Sequence, residues 1–316
     1  IRRFGVQVPV GPQMSSHSYI QDPRNDEIFI NINGELIKRC QAKISVFDSG
    51  FLLGDGIWEG IRFHKSRLLF IENHLERLFA SAKGISLNIS LTKEEIISEI
   101  NRTLTANNMK NDIHIRLIVS RGNKITPYQN PNANIGPINF VIIPEHKKTN
   151  PEVYIKGLRI GRVPNVRPDS LIQNPKYNTL SKLNCILASI EANNLNYDEG
   201  IMNDIHGYVS TCNSTNLFFI KDKAVYTSRG DYCLNGITRE KVIQICKKNQ
   251  IPCFQKNFKF QEIENCDEAF VTGTFAGVIP VSKLENRELK STLNNSLVYK
   301  INKLYQEKII DYIKVK

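Results

Sequence analysis

The strongest constraint on the fold of this chain is a pair of hairpin patterns in its first quarter. Residues 28–37 alternate in character around Asn33-Gly34, a dipeptide typical of a two-residue hairpin turn. Residues 60–63 and 67–71 flank a second polar turn in the same way. Both patterns predict antiparallel strands near the start of the chain.

Helical spacing begins directly after the second hairpin. Residues 73–82 place apolar side chains three and four positions apart, which predicts a helix. Thr92 and Glu95 have the spacing of a capping box, so a second helix should begin there and run to about Ala106. Because hairpins and helices follow one another in separate runs, we predict an α+β fold.

Further strands and helices are predicted over the rest of the chain. Strands are expected at residues 113–120, 138–143, 158–163, 199–203, 217–220 and 269–271, and helices at 181–194, 239–249 and 297–313. At 316 residues the chain is long enough for two domains. We therefore predict an N-terminal arm, a small α+β domain, a linker and a larger cofactor-binding domain, at residues 1–25, 26–145, 146–155 and 156–316.

The net charge of +11 comes from basic residues that are scattered along the chain. Without a basic stripe, nucleic-acid binding is not expected, whereas a small anionic ligand would be attracted. No apolar run is long enough to span a membrane, so no membrane association is expected either. The seven cysteines lack zinc-ligand spacing, so we predict no metal site and reduced thiols in a cytoplasm.

Two short turns rich in glycine and threonine are candidates for binding a phosphate. Gly236, Ile237 and Thr238 precede an amphipathic helix, and free N–H groups at a helix start suit an anion. Gly273 and Thr274 lie in a second such turn, directly after a predicted strand. An ordinary helix N-cap and an ordinary strand-to-helix turn are the alternative interpretations.

Together with other segments, these turns resemble the class IV aminotransferases, which include branched-chain and D-amino-acid transaminases. The similar segments occur in the family's order, at residues 47–51, 54–60, 74–78, 197–201, 207–209, 216–218, 236–239 and 272–274. The resemblance implies a two-domain fold of fold type IV, pyridoxal 5'-phosphate as the cofactor, and transfer of an amino group from a small amino acid to a 2-oxo acid. It also implies a homodimer.

By the same resemblance, Arg77 would bind the cofactor phosphate together with the two turns. A guanidinium can hold a phosphate dianion through two hydrogen bonds at once, so the residue type suits the role. Trp58 lies where the family has an aromatic wall of the substrate pocket. Packing in the core is the alternative interpretation of Trp58.

The lysine that the chemistry requires is displaced in this chain. It must form a Schiff base with the cofactor and move the substrate's α-proton. The family's spacing to a following Glu-Ala pair leads here to Asn178 or Tyr177. Lys182 is favoured, since a helix starting around Thr179 would bring it onto the face of Asn178. Lys176 is the alternative, and a third possibility is that neither lysine is catalytic.

Two more positions depart from the family pattern. Thr211 replaces a glutamate that lies against the pyridine nitrogen, and a neutral hydroxyl would donate a hydrogen bond to an unprotonated ring. After Arg121-Gly122 the chain lacks the Arg and His that hold the substrate carboxylate in D-amino-acid transaminases; Lys124 and Tyr128 are the candidates to take that anion. The substrate's handedness therefore stays open. Two alternative functions also remain: an elimination reaction like that of aminodeoxychorismate lyase, and the role of a non-catalytic relative of the family.

Overall fold

Two β-sheets organise the chain, one in each half, in a computed structural model that describes residues 14–314. The first half contains β1 (Tyr19–Ile20), β2 (Phe29–Ile32), β3 (Glu35–Lys38), α1 (Ser49–Leu53), β4 (Gly56–His64), β5 (Arg67–Leu68), α2 (Ile71–Gly84), α3 (Lys93–Ala106), β6 (Ile113–Ser120), β7 (Asn123–Lys124), β8 (Asn134–Ile135), β9 (Asn139–His146), β10 (Lys148–Thr149) and α4 (Glu152–Lys156). Short 3-10 helices lie at Pro23–Glu27, Arg39–Gln41 and Pro131–Ala133.

The second half continues in the same mixed order. It contains β11 (Leu158–Val166), α5 (Leu183–Asn194), β12 (Glu199–Asn203), β13 (Val209–Cys212), β14 (Asn216–Lys221), β15 (Ala224–Thr227), α6 (Ile237–Lys248), β16 (Cys253–Gln255), α7 (Phe260–Glu264), β17 (Glu268–Gly273), β18 (Gly277–Leu284), β19 (Arg287–Glu288) and α8 (Leu297–Lys314). Within residues 14–314, no helix is long and apolar enough to cross a membrane.

The first sheet is antiparallel, with strand order β3-β2-β9-β6-β4-β5. Alternate residues of its central strands point to opposite faces. One face carries apolar side chains that pack against α2 and α3 in a buried core, including Ile57, Ile61, Ile115, Leu117, Leu75, Leu78, Ile96 and Ile100. The other face carries Trp58, Gly60, His114 and Arg116, which border a cavity shared with the second half.

The second sheet is mixed, with strand order β13-β12-β11-β18-β17-β14-β15-β16 and β19 paired with β18. Helices α6 and α8 pack against it through a core that includes Phe218, Phe270, Val242 and Ile301. Helix α5 packs Ala188 and Ala192 against Val163 and Met202. The turns at the ends of β13, β17 and the loop before α6 meet at the same cavity.

The secondary structure follows the sequence patterns closely. The hairpin at Asn33-Gly34, the helix of residues 73–82 and the capping box of Thr92 with Glu95 are all confirmed. The proposed linker is more ordered than its composition indicates, because it contains β10 and α4, and β10 pairs with β1 of the predicted arm. Residues 1–13 of that arm lie outside the described residues, and the domain boundaries remain predictions.

Two helix starts differ from the expectation, and both bear on the site. Helix α5 begins at Leu183 and not around Thr179, because residues 178–180 instead bond to β4: Leu180 N–H donates to the Gly56 carbonyl (2.9 Å). Helix α6 begins at Ile237, two residues before the predicted start, with Gly236 as its N-cap.

Candidate active site

A cavity of about 380 Å³ lies between the two sheets and brings most of the predicted site residues together. Its described lining includes four cationic side chains, those of Arg77, Arg116, Arg167 and Lys182. Among these described lining residues there is no aspartate or glutamate. Such a lining attracts an anionic ligand and disfavours a cationic one.

Arg77 is held at this cavity by a buried carboxylate. Its Nε and Nη2 donate to Glu59 Oε1 and Oε2 at 2.8 and 2.7 Å, and its Nη1 donates to the Asn235 carbonyl at 3.1 Å. Glu59 lies on β4 and also accepts a hydrogen bond from His74 Nδ1 at 2.7 Å. These hydrogen bonds fix the Arg77 guanidinium beside the loop that leads into α6.

The start of α6 lies at the cavity. Gly236, Ile237 and Thr238 all line it, and Gly236 provides no side-chain cap for the first turn. A Cβ atom at Gly236 would lie 2.3 Å from Asn216 Oδ1, so a larger residue would displace Asn216. Because the first N–H groups of a helix lack intrahelical partners, this end of the cavity can hold a phosphate.

The hairpin between β17 and β18 borders the same region. Gly273 and Thr274 line the cavity, and the Tyr154 hydroxyl fixes the turn by donating to the Ala276 carbonyl at 2.6 Å. Thr272 also lines the cavity, and its hydroxyl is buried with no hydrogen-bond partner among residues 14–314. Buried polar groups are rarely left unpaired, so this hydroxyl is consistent with a ligand oxygen at the turn.

Of the two candidate lysines, only Lys182 lines the cavity in the described part of the chain. Its Nζ donates to Asn178 Oδ1 at 3.0 Å and lies 5.5 Å from the centroid of the Trp58 ring. Lys176 is exposed, and its Nζ lies 3.5 Å from Asp231 Oδ1. The loop geometry therefore separates two lysines that are near neighbours in sequence.

The Lys182 amine loses its proton more easily than an ordinary lysine. Burial lowers its pKa most; Cys185 opposes this, and the charges of Arg167, Arg77 and Arg116 lower the pKa further, to about 8. Near neutral pH a useful fraction of the amine is therefore uncharged, which is the form that acts as a nucleophile or a base.

Thr211 lines the cavity, but its hydroxyl is oriented differently from the expectation. Its Oγ1 donates to the Thr215 carbonyl at 2.6 Å. A hydroxyl has a single hydrogen, so Thr211 has only lone pairs left to offer a ligand. Thr211 was expected to donate a hydrogen bond to the ring nitrogen, but in this structure its hydroxyl can only accept one from a ligand.

The sequence interpretation missed the polar face of β6. Arg116 lies opposite Gly60 on β4, and its guanidinium stacks 3.7 Å from the Trp58 ring centroid. His114 packs edge-on against Phe275, with ring centroids 5.7 Å apart. The signal was present in the alternation of residues 113–120, where His114, Arg116 and Ser120 fall on one face of an otherwise apolar strand.

Two histidines at this end of the cavity contribute no charge near neutral pH. His17 is partly exposed and lines the cavity, where desolvation, assisted by the charges of Lys147 and Arg116, lowers its pKa to about 4. The same three causes hold the pKa of His114 well below its ordinary value. His17 belongs to the predicted arm, where no sequence pattern distinguished it. Arg116 therefore provides the positive charge here among the described lining residues.

The structure does not bring Lys124 and Tyr128 to this cavity. Lys124 is buried, and its Nζ donates to Asn134 Oδ1 at 2.9 Å and to the Asn130 carbonyl at 3.3 Å. The amine thus stabilises its own loop. Tyr128 is 55% exposed and lies outside the lining. Arg121 instead supports the neighbouring strand end, through two hydrogen bonds that it donates to Asp55 at 2.7 and 3.0 Å.

The site and fold together define a class of protein: a two-sheet protein whose cavity has groups suited to a phosphate at one end and presents a lysine amine. The residues present fit pyridoxal 5'-phosphate in three respects. They provide a glycine cradle at Gly236, an unpaired hydroxyl at Thr272 and an enclosed amine at Lys182.

Comparison with known proteins gives the same class. The family model for amino-transferase class IV matches residues 56–284. Branched-chain-amino-acid aminotransferase-like protein 2 of Arabidopsis thaliana is 38% identical over 269 residues, which cover 84% of this chain and 47% of that protein. A putative branched-chain-amino-acid aminotransferase of Methanocaldococcus jannaschii is 34% identical over 283 residues, covering 89% of this chain and 95% of that protein.

Matches at lower identity include a D-alanine aminotransferase and solved structures of branched-chain aminotransferases. A D-alanine aminotransferase of Listeria monocytogenes is 27% identical over 286 residues, covering 88% of this chain and 95% of that protein. Among solved structures, a branched-chain amino acid aminotransferase complexed with N-(5'-phosphopyridoxyl)-L-glutamate has a TM-score of 0.82 at 26% identity, covering 90% of this chain and 95% of that one. The branched-chain aminotransferase of Thermoproteus uzoniensis with norvaline has a TM-score of 0.81 at 27% identity, and the match covers 91% of this chain and 96% of that one.

The chain belongs to the class IV aminotransferases, a family of pyridoxal phosphate-dependent enzymes. The resemblance seen in the sequence motifs, the α+β fold of this family and its cofactor are thereby confirmed. The chain spans about half the length of the two Arabidopsis thaliana relatives that it matches, at 47% and 48%.

Proposed function

We propose that this protein is an aminotransferase that moves an amino group between a small amino acid and a 2-oxo acid with pyridoxal phosphate. The observation that carries the proposal is the Lys182 amine, which is enclosed in a cationic cavity and has a pKa of about 8. Membership of the class IV family supports the same activity.

The cofactor phosphate would be held by Arg77 and the two turns, through Gly236, Ile237, Thr238, Gly273 and Thr274. When bound, the cofactor supplies an aromatic ring that withdraws electrons from the substrate's α-carbon. Thr211, which the family pattern places at the ring nitrogen, would accept a hydrogen bond there, since its own hydrogen is donated to Thr215.

Lys182 would have two tasks in this scheme. Its amine would attach the cofactor aldehyde, and it would afterwards hold and return the proton at the substrate's α-carbon. Both tasks need the uncharged amine, which the enclosed and cationic surroundings favour. Lys176 is tied to Asp231 at the surface and is the matched control.

The test is the visible absorption band of the cofactor-loaded protein. We expect the band in the wild type and in Lys176→Ala, and its loss in Lys182→Ala. A band that survives Lys182→Ala and disappears in Lys176→Ala would reverse the assignment. Pyruvate released without any need for a 2-oxo acid acceptor would favour elimination over amino transfer.

We propose Arg116 and Trp58 as the substrate-binding pair. The Arg116 guanidinium lies in the cavity, and within residues 14–314 no hydrogen bond to it is formed. A partly buried cation without a hydrogen-bond partner suits a substrate carboxylate. The names of the relatives suggest branched-chain amino acids or D-alanine, and turnover of L-leucine and D-alanine with 2-oxoglutarate separates the two handednesses.

One observation favours a second candidate, a family member without transaminase activity. Asn178 occupies the position where the family's spacing leads to a lysine, and an amide cannot attach the cofactor. This candidate predicts a protein that binds pyridoxal phosphate without developing a band that depends on Lys182. The absorption experiment above therefore distinguishes the two functions directly.

We also propose that a second copy of the chain covers an apolar face of α5. Leu183, Ile186, Leu187 and Ile190 recur at helical spacing and are each 47% to 65% exposed. The helix directly follows Lys182, so a partner here would border the cavity. Light scattering should report a dimer for the wild type and for Ile310→Glu, a matched change of an exposed isoleucine on α8, and a monomer for Ile186→Glu. A wild-type monomer would contradict the proposal.

The free thiols suggest where the protein works. All seven cysteines are unpaired, and four of them are buried. We propose a reducing compartment such as the cytoplasm, because unpaired cysteines are usual there. Fractionation of cells that express the protein would test this.

A further inference from the structure

Asn178 uses every one of its polar groups. Its backbone N–H donates to Ser81 Oγ at 3.1 Å, and its carbonyl accepts from Trp58 N–H at 2.9 Å. Its side-chain Nδ2 donates to the Trp58 carbonyl at 2.7 Å, and its Oδ1 accepts from Lys182 Nζ at 3.0 Å. The residue is 1% exposed.

These bonds fix which end of the amide faces the lysine. Because Nδ2 is occupied by the Trp58 carbonyl, the acceptor Oδ1 is directed at the amine. Rotating the amide would bring two donors together at Lys182 and two acceptors together at Trp58. The backbone cannot move to accommodate a rotated amide, since residues 178–180 are hydrogen-bonded to β4 on both sides of the Ile57–Thr179 bridge.

Lys182 needs such support because it does not lie within a helix. It is the N-cap residue of α5, with φ of −110° and ψ of 10°, and its side chain leaves the chain just before the first turn. The charged and titratable groups around its amine are Cys185 on α5, Arg167 after β11, Arg77 on α2 and Arg116 on β6. The three arginines repel a protonated amine and would displace it if nothing held it.

We propose that Asn178 is a positioning residue that holds the Lys182 amine toward the cavity. The proposal rests on the proposed function of Lys182. A neutral amide suits this role because it directs the amine by one hydrogen bond and adds no negative charge. A carboxylate at the same place would also direct the amine, but it would stabilise the protonated form and so oppose the chemistry.

The experiment measures how fast pyridoxal phosphate is trapped on Lys182 as a function of pH. Each protein is incubated with the cofactor, reduced with borohydride and digested, and the modified peptide is quantified by mass spectrometry. The wild type should show a rate that rises with pH, with its midpoint near 8. The variants are Asn178→Asp and Asn178→Ala, with Asn193→Asp and Asn193→Ala as matched controls on the exposed end of α5.

In Asn178→Asp, the new carboxylate next to the amine should raise the midpoint by about one pH unit or more. In Asn178→Ala, the amine loses its only hydrogen-bond partner in the described chain, and the plateau rate should fall about tenfold or more. The control variants should match the wild type. A purely structural role for Asn178 would leave the midpoint in Asn178→Asp unmoved.

Different outcomes would contradict the proposed function of Lys182 and the positioning role of Asn178. If Lys182 of the wild type is not modified at any pH, the proposed function of Lys182 is wrong. If the wild type is modified but both Asn178 variants keep its midpoint and plateau, the positioning role is wrong and the proposed function stands. Should Asn178→Asp not fold, Asn178→Ala decides the question alone.

Discussion

The cluster of Glu59, Arg77 and His74 allows a quantitative prediction about stability. The Glu59 side chain is 0% exposed, and it binds Arg77 through two hydrogen bonds and His74 through a third. Burial lowers the pKa of His74 more than Glu59 raises it, so the imidazole donates its Nδ1 hydrogen in the neutral form. Arg77 is therefore the cation that compensates the buried carboxylate.

The magnitude follows from the pKa of Glu59. Burial alone would raise this pKa, but the charge and hydrogen bonds of Arg77, together with His74, outweigh burial and lower it from 4.5 to about 2. A pKa lowered by this amount corresponds to about 3 kcal/mol of folding free energy. Removing one partner of a buried ion pair costs about 3–5 kcal/mol in general, which agrees with this value.

The sign of the pH dependence is also determined. A carboxylate whose pKa is lower in the folded than in the unfolded state contributes its full stabilisation above the unfolded pKa. That contribution is lost as the pH falls from about 4.5 toward about 2. In Glu59→Gln the free energy of unfolding should thus be about 3 kcal/mol lower at neutral pH, and the difference from the wild type should shrink in acid.

Urea unfolding, followed by circular dichroism at several pH values, measures this difference. Glu94→Gln, an exposed change in the first turn of α3, is the control and should unfold at the wild-type midpoint. Equal midpoints for Glu59→Gln and the wild type at neutral pH would refute the reasoning. So would a deficit that stays constant as the pH is lowered, because it would show that the ionised carboxylate is not its source.

Three further predictions concern the cavity. The rate of cofactor attachment in the wild type should rise with pH and reach half its maximum near pH 8, as followed by stopped-flow absorbance, because the uncharged Lys182 amine reacts. Gly236→Ala should weaken pyridoxal phosphate binding by about tenfold or more in a fluorescence titration, since its Cβ would lie 2.3 Å from Asn216 Oδ1. Arg116→Gln should raise the KM for the amino acid by about tenfold or more with little change in cofactor affinity, and a lower cofactor affinity with unchanged KM would contradict the assignment.

The proposed phosphate end of the site could be located from the sequence because its elements are local. A glycine before an amphipathic helix specifies a helix start with free N–H groups, and this property needs no distant contact. The structure places Gly236, Ile237, Thr238, Gly273 and Thr274 at one cavity, as their pattern indicated. Even there, the helix began at Ile237, because Gly236 rather than Thr238 serves as the N-cap.

The proposed substrate end could not be located in the same way. Arg116 faces the cavity because β6 pairs with β4 in a register that places it opposite Gly60, and His17 reaches the cavity from the distant N-terminal segment. Neither register nor long-range packing can be derived from spacing within one segment. Lys124 shows the opposite case. Its place in the sequence made it a candidate to bind an anion, but in the structure its amine donates a hydrogen bond to Asn134.

The sequence by itself determined the fold class, the family and the two glycine-containing turns that line the cavity, because periodicity and turn patterns act over a few residues. Tertiary structure alone separated Lys182 from Lys176. Residues 178–180 bond to β4 instead of starting a helix, and this contact between distant segments points one lysine into the cavity and leaves the other beside Asp231 at the surface. The same contact orients Asn178 toward the amine, for the physical reason that turning the amide would place two donors together at Lys182 and two acceptors together at Trp58.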